Sequence, residues 1–209
     1  MATDSVGKLS IAQHKEYFDR LAPNWDSYLN QETLSRLNNI VAELDIMLGS
    51  CILDVGSGTG VLLPFLTRAT GNQGKIIEID ISARMLAVTK AKGLAPNTHY
   101  IQADIAAIPL PDEVFDLVIC CNAFPHFSNK LKALREMARV IKVDGRLVIC
   151  HTMSREAVNS LHQTIGGVVG NDLLPERDEL HQLLIEAGLG RVKLKDSPEY
   201  YLAVAYKMP

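Results

Sequence analysis

Short apolar runs alternate with stretches of helical spacing through most of this chain. The runs are rich in β-branched residues, and most of them precede a segment whose apolar residues recur every three or four positions. This pattern predicts strands followed by helices. The predicted strands are 51–55, 75–79, 98–102, 115–120 and 146–150, and the predicted helices are 61–69, 83–92, 131–140, 154–165 and 177–187. Such alternation is typical of a parallel sheet with helices on both faces.

Two further β-rich segments, 192–196 and 200–206, end the pattern. Only a few residues separate them, too few for the crossover helix that joins parallel strands, so we predict an antiparallel pair. The predicted fold class is therefore α/β: a doubly wound, seven-stranded sheet that is mostly parallel and has a C-terminal antiparallel hairpin. In such sheets, ligands bind beyond the carboxyl ends of the strands, where the strand order reverses.

A helical segment precedes the first predicted strand. Residues 10–48 have helical spacing, with a break at Ala22-Pro23-Asn24. We predict a single domain over 1–209 in which residues 1–48 form a lid. The aromatic side chains of this segment either anchor it to the core or cover a bound cation with their faces. These aromatic residues are Tyr17, Phe18 and Trp25.

The composition is that of a globular protein, and it narrows the classes of partner. Of 209 residues, 47% are hydrophobic and 22% are charged, and the formal net charge is −3. An acidic balance without a basic block disfavours nucleic acid as a partner. No apolar run approaches the roughly 18 residues of a membrane-spanning helix, and the N-terminal residues lack the apolar core of a secretory signal. None of these features indicates an oligomeric state.

The cysteines indicate a reducing compartment. None of the four forms a C-x-x-C pair, so the pattern favours neither a zinc ribbon nor a disulfide framework. We expect reduced, half-buried thiols in a cytoplasmic protein. The residues concerned are Cys51, Cys120, Cys121 and Cys150.

A glycine-rich loop follows the first predicted strand. Its sequence, 56–60, reads G-S-G-T-G, and glycines at such a turn let a ligand approach the backbone closely. A dinucleotide fingerprint needs G-x-G-x-x-G, but position 61 is valine. A carboxylate just before the loop would repel a pyrophosphate, whereas it suits a ligand that bears an amine. The candidate cofactor-binding residues here are Asp54, Gly56, Ser57, Gly58 and Gly60.

Polar residues also end the later strands, at the edge where the ligand is expected. Asp80 lies near the spacing from the glycine loop at which a carboxylate meets both ribose hydroxyls. Its alternative role is to cap the helix that begins near Ser82. Asp104 is a candidate acceptor for an adenine amino group, with Ile105 against the ring, although aspartate is also a common turn residue. Ile81 and Asn122 complete the candidate cofactor-binding set.

These motifs resemble those of the class I S-adenosylmethionine-dependent methyltransferases. The first two motifs of that family resemble ILDVGSGTG (52–60) and EIDISARML (78–86). The adenine-binding and fourth motifs resemble YIQADIAAIPLPDEVFDLVICCNAFPHF (100–127), followed by LREMARVIKVDGRLVIC (134–150), and the N-terminal segment of the ubiquinone/menaquinone-type members resembles YFDRLAPNWDSY (17–28). The resemblance implies a Rossmann-like fold and S-adenosylmethionine as cofactor. It also implies ribose contacts at Asp80 and adenine contacts at Asp104 and Ile105, and it leaves the acceptor open.

Three histidines are candidates for handling a small-molecule acceptor. His126 and His151 follow the fourth and fifth strands, and His162 lies in the next helix. The apolar, glycine-containing stretch 165–172 follows His162, and we predict that it is a flap or a connector. Each is a candidate base or binding residue, because methyl transfer requires alignment of the nucleophile and in some cases removal of a proton. A structural role is the alternative for each. A metal site rich in these histidines, with the Cys120/Cys121 region as a source of further ligands, is another alternative, but the spacings match no zinc pattern, so no metal is predicted. His14, His99 and His181 are expected at the surface.

The predicted function is methyl transfer to a small-molecule acceptor. One alternative is a catalytically silent module that binds the same cofactor; such modules are expected to lose the loop glycines or Asp80, and both are present. Another is a NAD-linked oxidoreductase, which Val61 and Asp54 disfavour.

Overall fold

The strands and helices follow the predicted order. The computed structural model describes residues 11–94 and 97–209. The strands are β1 (Cys51–Val55), β2 (Lys75–Asp80), β3 (Thr98–Gln102), β4 (Phe115–Cys121), β5 (Ile141–His151), β6 (Leu189–Asp196) and β7 (Tyr201–Lys207). The α-helices are α1 (Ile11–Leu21), α2 (Gln31–Glu43), α3 (Leu63–Thr70), α4 (Ala83–Lys92), α5 (Lys130–Val140), α6 (Arg155–Ile165) and α7 (Arg177–Glu186). The first ten residues of the predicted lid lie outside the described residues.

The strands form one seven-stranded sheet in the order β3-β2-β1-β4-β5-β7-β6. β1 pairs in parallel with both β2 and β4, so the strand order reverses at this point. β7 is antiparallel to both β5 and β6. The predicted fold class, including the antiparallel hairpin, is confirmed. A ligand site is expected beyond the carboxyl ends of β1 and β4.

Both faces of the sheet are buried, which explains the continuous apolar runs of the central strands. Successive side chains of a strand point to opposite faces. On β1, Leu53 packs in one core with Leu134 of α5 and Leu180 of α7, whereas Ile52 packs in the other with Leu37 of α2. The two cores hold the sheet rigid, and its carboxyl edge is therefore a stable platform for a site.

Side-chain caps set the helix starts that position this edge. The Ser82 side chain accepts a hydrogen bond from the backbone N–H of Met85 and caps α4, as the sequence predicts. Ser154 caps α6 in the same way through the N–H of Ala157. α4 ends at Gly93, which takes the left-handed conformation that glycine tolerates.

β6 begins at Leu189 rather than at the predicted Val192, and two further elements differ from the prediction. The break after α1 is a 3-10 helix over Ala22–Tyr28, because Pro23 fits the first turn of a helix. β5 begins at Ile141 rather than Arg146, and the predicted turn at Asp144 is an irregularity within the strand. Regular pairing with β4 resumes at Arg146, where the predicted strand starts. None of these differences moves the carboxyl edge of the sheet.

Candidate active site

A cavity of about 680 Å³ lies beyond the carboxyl ends of the central strands. Its walls come from α1, the 3-10 helix, the ends of β1, β2, β4 and β5, and α6. A volume of this size suits a small ligand. Of the residues predicted for the site, Asp54, Gly56, Ser57, Gly58, Asp80, Ile81, Asp104, Ile105, Asn122, His126, His151 and His162 line this cavity.

Two glycines of the loop are required for different structural reasons. Gly56 has a φ of +65°, and a Cβ there would lie 2.4 Å from the Cβ of Ala123, so no side chain fits between the loop and the residues after β4. Gly60 is not among the residues that line the cavity, and its contact with the cofactor stays a prediction. A Cβ at Gly60 would lie 2.2 Å from Cγ2 of Thr89, so this glycine allows close packing on α4.

Asp80 joins the loop to the end of β2. Its two carboxylate oxygens accept hydrogen bonds from the backbone N–H groups of Gly58, at 2.9 Å, and of Ser82, at 2.8 Å. Ser82, rather than Asp80, caps α4. Burial raises the pKa of Asp80, and the hydrogen bonds from the backbone partly offset this effect. Each carboxylate oxygen has a further lone pair, so the group can still accept hydrogen bonds from a ligand in the cavity.

Asp54 is a buried carboxylate with an unused acceptor. Its side chain is 1% exposed, and its Oδ2 has no hydrogen-bond partner among the residues that the structure describes. Burial, together with the nearby Asp80, raises the pKa of Asp54 to about 7. Glu78 lies opposite Asp54 on β2, and burial with the charge of Asp54 raises the pKa of Glu78 well above its usual range. A cation bound beside these carboxylates would offset the cost of the buried negative charge.

The remaining predicted cofactor residues end β3 and β4. Asp104 accepts a hydrogen bond from the N–H of Ala106, at 2.9 Å, which is the turn role that the sequence also allows for it. The residue also lines the cavity. Ile105 is buried beside it. Asn122 has a φ of +56°, and its side-chain oxygen accepts from the N–H of Thr152 at 3.1 Å, which joins the ends of β4 and β5.

The charges of the wall decide which cofactor fits. Asp54, Asp80 and Asp104 line the cavity, and no lysine or arginine of the described chain does. A pyrophosphate needs positive or backbone N–H partners, and three carboxylates would repel it. S-adenosylmethionine carries a sulfonium, an ammonium group and no phosphate. The residues present therefore fit S-adenosylmethionine and not a dinucleotide.

Three histidines that line the cavity join Asp172 in a group that we call the histidine cluster: His14, His126, His162 and Asp172. His14 Nε2 and His126 Nδ1 each lie 2.8 Å from the same carboxylate oxygen of Asp172. His162 Nδ1 bonds to the backbone carbonyl oxygen of Asp172. The rings of His126 and His162 have centroids 4.9 Å apart. Asp172 therefore organises all three imidazoles.

Burial dominates the proton equilibria around this cluster. It lowers the pKa of His126, and the carboxylate of Asp172 opposes that effect. Burial also disfavours the charged form of Asp172, but hydrogen bonds from His126 and His14 outweigh it and lower the pKa of that carboxyl group. Burial lowers the pKa of His151 to about 3, so this imidazole stays neutral. His151 Nε2 is buried without a hydrogen-bond partner among the described residues and can bind a ligand.

One surface prediction was wrong, and one residue was missed. His14 is 7% exposed instead of solvated, while His99 and His181 are exposed as expected. The helical spacing of His14 with Phe18 and Leu21 places it on the apolar face of α1 and could have revealed its burial. Asp172 is the last residue of the glycine-containing stretch 165–172, and no pattern in the sequence distinguishes it from a turn residue.

The aromatic residues of the N-terminal segment cover the cavity. The Phe18 ring lies 5.9 Å from the Trp25 ring and 5.0 Å from the His126 ring, between centroids. Tyr17 packs edge-on against Phe18. Tyr17, Phe18 and Trp25 all line the cavity, and none of the three belongs to either hydrophobic core. This placement favours the lid interpretation over the core-anchor interpretation.

Comparison with known proteins agrees with this geometry. The methyltransferase domain family matches residues 53–149. The ubiquinone/menaquinone biosynthesis C-methyltransferase UbiE of Enterobacter sp. (strain 638) is 30% identical over 172 residues, which cover 69% of this chain and 68% of that protein. The chain belongs to the class I S-adenosylmethionine-dependent methyltransferases. S-adenosylmethionine is the cofactor of this methyltransferase, as its resemblance to the family implies.

Other relatives of this methyltransferase cover different shares of their length. The UbiE protein of Marinomonas sp. (strain MWYL1) is 28% identical over 173 residues, which cover 80% of this chain and 63% of that protein. The chain spans between 52% and 63% of the length of the first curated relatives. The crystal structure of a SAM dependent methyltransferase from Aquifex aeolicus superposes with a TM-score of 0.69 at 25% identity, covering 93% of this chain and 98% of that one. Over residues 11–94 and 97–209, no helix has the length and apolar character needed to cross a membrane.

Proposed function

We propose that this methyltransferase transfers a methyl group from S-adenosylmethionine to a small-molecule acceptor bound beside the histidine cluster. One observation carries the proposal: a single cavity is lined by acidic residues, a glycine turn and three histidines of the histidine cluster. The curated relatives are named as C-methyltransferases of ubiquinone/menaquinone biosynthesis. An acceptor with an ionisable hydroxyl group fits that chemistry and the imidazoles of this chain.

For the cofactor, we propose that each predicted residue has a separate contact. S-adenosylmethionine supplies an electrophilic methyl group on its sulfonium. The unused oxygen of Asp54 would accept from the ammonium group, and Asp80 would accept from the ribose hydroxyls. Asp104 and Ile105 would hold the adenine. Ser57, with the backbone at Gly56 and Gly58, Ile81 and Asn122, would close the remaining wall.

At the histidine cluster, we propose that His126 accepts the proton of the acceptor. Asp172 holds Nδ1 of His126 as an N–H donor, which leaves the lone pair on Nε2. The lowered pKa keeps this imidazole neutral at neutral pH and able to accept a proton. His162 fixes the backbone of Asp172 and the position of the ring beside it. His151 is proposed to orient the acceptor through its buried Nε2, because its pKa is too low for a base.

The test is methyl transfer to a panel of phenols, quinols, amines and thiols, followed by mass spectrometry of the products. We expect turnover with at least one acidic hydroxyl compound, with the methyl group on oxygen or on an adjacent carbon. Tight binding of S-adenosylhomocysteine without transfer to any class would favour the catalytically silent module. Binding of NAD in place of S-adenosylhomocysteine would contradict the assignment of the cofactor site.

We further propose that residues 1–48, which precede β1, act as a lid within a single domain. Asp19 of α1 accepts a hydrogen bond from the Ser82 hydroxyl, at 2.6 Å, at the start of α4. Asp26 accepts one from the hydroxyl of Thr59, at 2.6 Å, and pairs with Lys92 at 2.6 Å. These polar contacts join the lid directly to the glycine loop and to α4. Because the contacts are polar and partly exposed, they hold the lid less firmly than a hydrophobic core would.

Cofactor binding is expected to slow hydrogen exchange in the lid. The physical reason is that Phe18 and Trp25 would gain a bound ligand to pack against, while the loop to which the lid is attached becomes ordered. The measurement compares amides of 11–28 with and without S-adenosylhomocysteine, and the amides of α3, which do not line the cavity, serve as the control. Equal protection of 11–28 in both states would exclude a lid and restore the core-anchor interpretation.

The cytoplasmic location and the absence of nucleic acid and membrane partners remain part of the proposal. The four cysteines, all within the described residues, are free thiols, which is consistent with a reducing compartment. The net charge of −3 disfavours nucleic acid.

A further inference from the structure

Three side chains of the kind that bind metals meet beside the cavity of about 680 Å³ described above. His14 Nε2, His126 Nδ1 and a carboxylate oxygen of Asp172 all lie within 4.8 Å of one another. They come from α1, from the turn after β4 and from the loop after α6. His14 and Asp172 also line a second cavity, of about 760 Å³, so the group lies in the wall between two open spaces. An ion could reach it from either side.

We propose that His14, His126 and Asp172 bind one divalent transition-metal ion of the zinc class. Two imidazole nitrogens and one carboxylate oxygen are a donor set that zinc and similar ions prefer. Three protein ligands beside a cavity leave a fourth position open, as in sites where the ion also binds water or a substrate. The inference does not depend on methyl transfer, because the apoprotein alone is sufficient to test it.

The distances permit such a site with small side-chain movements. With metal–ligand bonds of about 2.1 Å, the ligand atoms of a tetrahedral site lie about 3.4 Å apart. The two nitrogen–oxygen distances in the cluster are 2.8 Å, and every pair of ligand atoms lies within 4.8 Å. The two nitrogen–oxygen distances are therefore about 0.6 Å shorter than a tetrahedral site requires. Rotation of the Asp172 carboxylate would open the two short distances.

The electrostatic balance favours a cation at this place. The side chain of Asp172 is 14% exposed, and those of His14 and His126 are 9% and 13% exposed. The negative charge of the Asp172 carboxylate is therefore compensated mainly by hydrogen bonds with these two imidazoles. A partly buried carboxylate is costly unless a positive charge or several hydrogen bonds compensate for it. A divalent ion would supply that compensation more strongly than two neutral N–H donors.

The backbone of the carboxylate ligand is already fixed. The N–H of Asp172 donates to the carbonyl of Val169 at 3.0 Å, and its own carbonyl accepts from His162. Such supporting hydrogen bonds orient metal ligands and raise affinity. An ion on His126 Nδ1 would also place the ring proton on Nε2. Metal occupancy and proton acceptance by His126 therefore exclude one another.

The test is a calorimetric titration of metal-free, untagged protein with Zn²⁺, repeated with Co²⁺ and followed by absorption spectroscopy. We expect one saturable site and weak visible bands typical of nitrogen and oxygen ligands. Asp172→Asn and His14→Gln should each weaken binding by more than about tenfold, since even supporting hydrogen bonds change affinity by 10–100-fold. The matched controls, Asp178→Asn and His181→Gln, change exposed residues and should leave the affinity unchanged.

Several outcomes would overturn the site. Unchanged affinity in Asp172→Asn, or an equal loss in His181→Gln, would place the ion elsewhere, as would intense thiolate bands in the cobalt spectrum. No saturable binding to the wild-type protein would remove the site altogether. Circular dichroism identifies a variant that fails to fold, and His14→Gln, on the lid helix, is the second variant for that case. Methyl transfer has no part in these measurements, so they stand whether or not the proposed function holds.

Discussion

Replacement of His126 by alanine is expected to lower turnover by about 10²–10⁴-fold, the usual contribution of a general base. The affinity for S-adenosylhomocysteine should change little, because the proposed cofactor contacts are made by the carboxylates and the glycine loop and not by His126. Single-turnover rates and calorimetric titration measure the two quantities separately. In the wild-type enzyme, the rate should rise with pH through the pKa of His126. That rise should lie below the ordinary pKa of histidine, because burial lowers the pKa of this imidazole.

Two controls separate catalysis from structure. His181→Ala removes an exposed histidine and should leave turnover unchanged. Asp172→Asn should reduce turnover by less than His126→Ala and should shift the pH profile, because Asp172 acts only by holding the imidazole. A parallel loss of turnover and cofactor affinity in His126→Ala would show that the residue supports the lid, through its contact with Phe18, and not the reaction.

Asp54→Asn is expected to weaken cofactor binding by between about tenfold and a hundredfold. A hydrogen bond to a charged group contributes about 1.5–3 kcal/mol, and asparagine keeps the shape of the side chain but not its charge. In the free protein, burial raises the pKa of Asp54 to about 7, whereas the bound ammonium group would favour the ionised form. At a pH below that pKa, binding of the cofactor therefore releases a proton from Asp54. The affinity of the wild-type protein should rise about tenfold from about pH 6 to about pH 8.

The pH dependence distinguishes this role from simple packing. In Asp54→Asn, the affinity for S-adenosylhomocysteine should be nearly independent of pH over the same range. Asp178→Asn, an exposed carboxylate on α7, should behave like the wild-type protein. A slope that persists in Asp54→Asn would assign the proton to Glu78 or Asp80, whose pKa values are also raised by burial.

The fold could be predicted because its determinants are local or periodic. The buried strand over 115–120 reads as an apolar run since both faces of the sheet are covered, and Ser82 and Gly93 mark the ends of α4 by their own capping chemistry. The short link between β6 and β7 excludes a crossover helix. The irregular start of β5 was not predictable, because it depends on how Phe115 and Ile141 pair before the strand becomes regular.

The acidic half of the site was also visible in the sequence, apart from Gly60. A parallel sheet brings the residues that end its strands to one edge, so Asp54, Asp80 and Asp104 meet in one cavity without further information. The role of Gly60 could not be read from the sequence, because a glycine required for helix packing has the same sequence pattern as one required for a ligand. Only the neighbouring side chain, Thr89, distinguishes the two.

The sequence alone predicted the alternation of strands and helices, the glycine turn and the carboxylates that favour a cofactor with a positive charge. These features depend on neighbours along the chain or on the common edge of a sheet. The tertiary structure alone decided which histidines meet and which carboxylate they share. His14 and Asp172 are 158 positions apart, and Asp172 and His126 are 46 apart. Their contact depends on how the lid and the loop after α6 fold over the sheet. Burial and a shared carboxylate then set the proton equilibria there, and no local pattern encodes either of them.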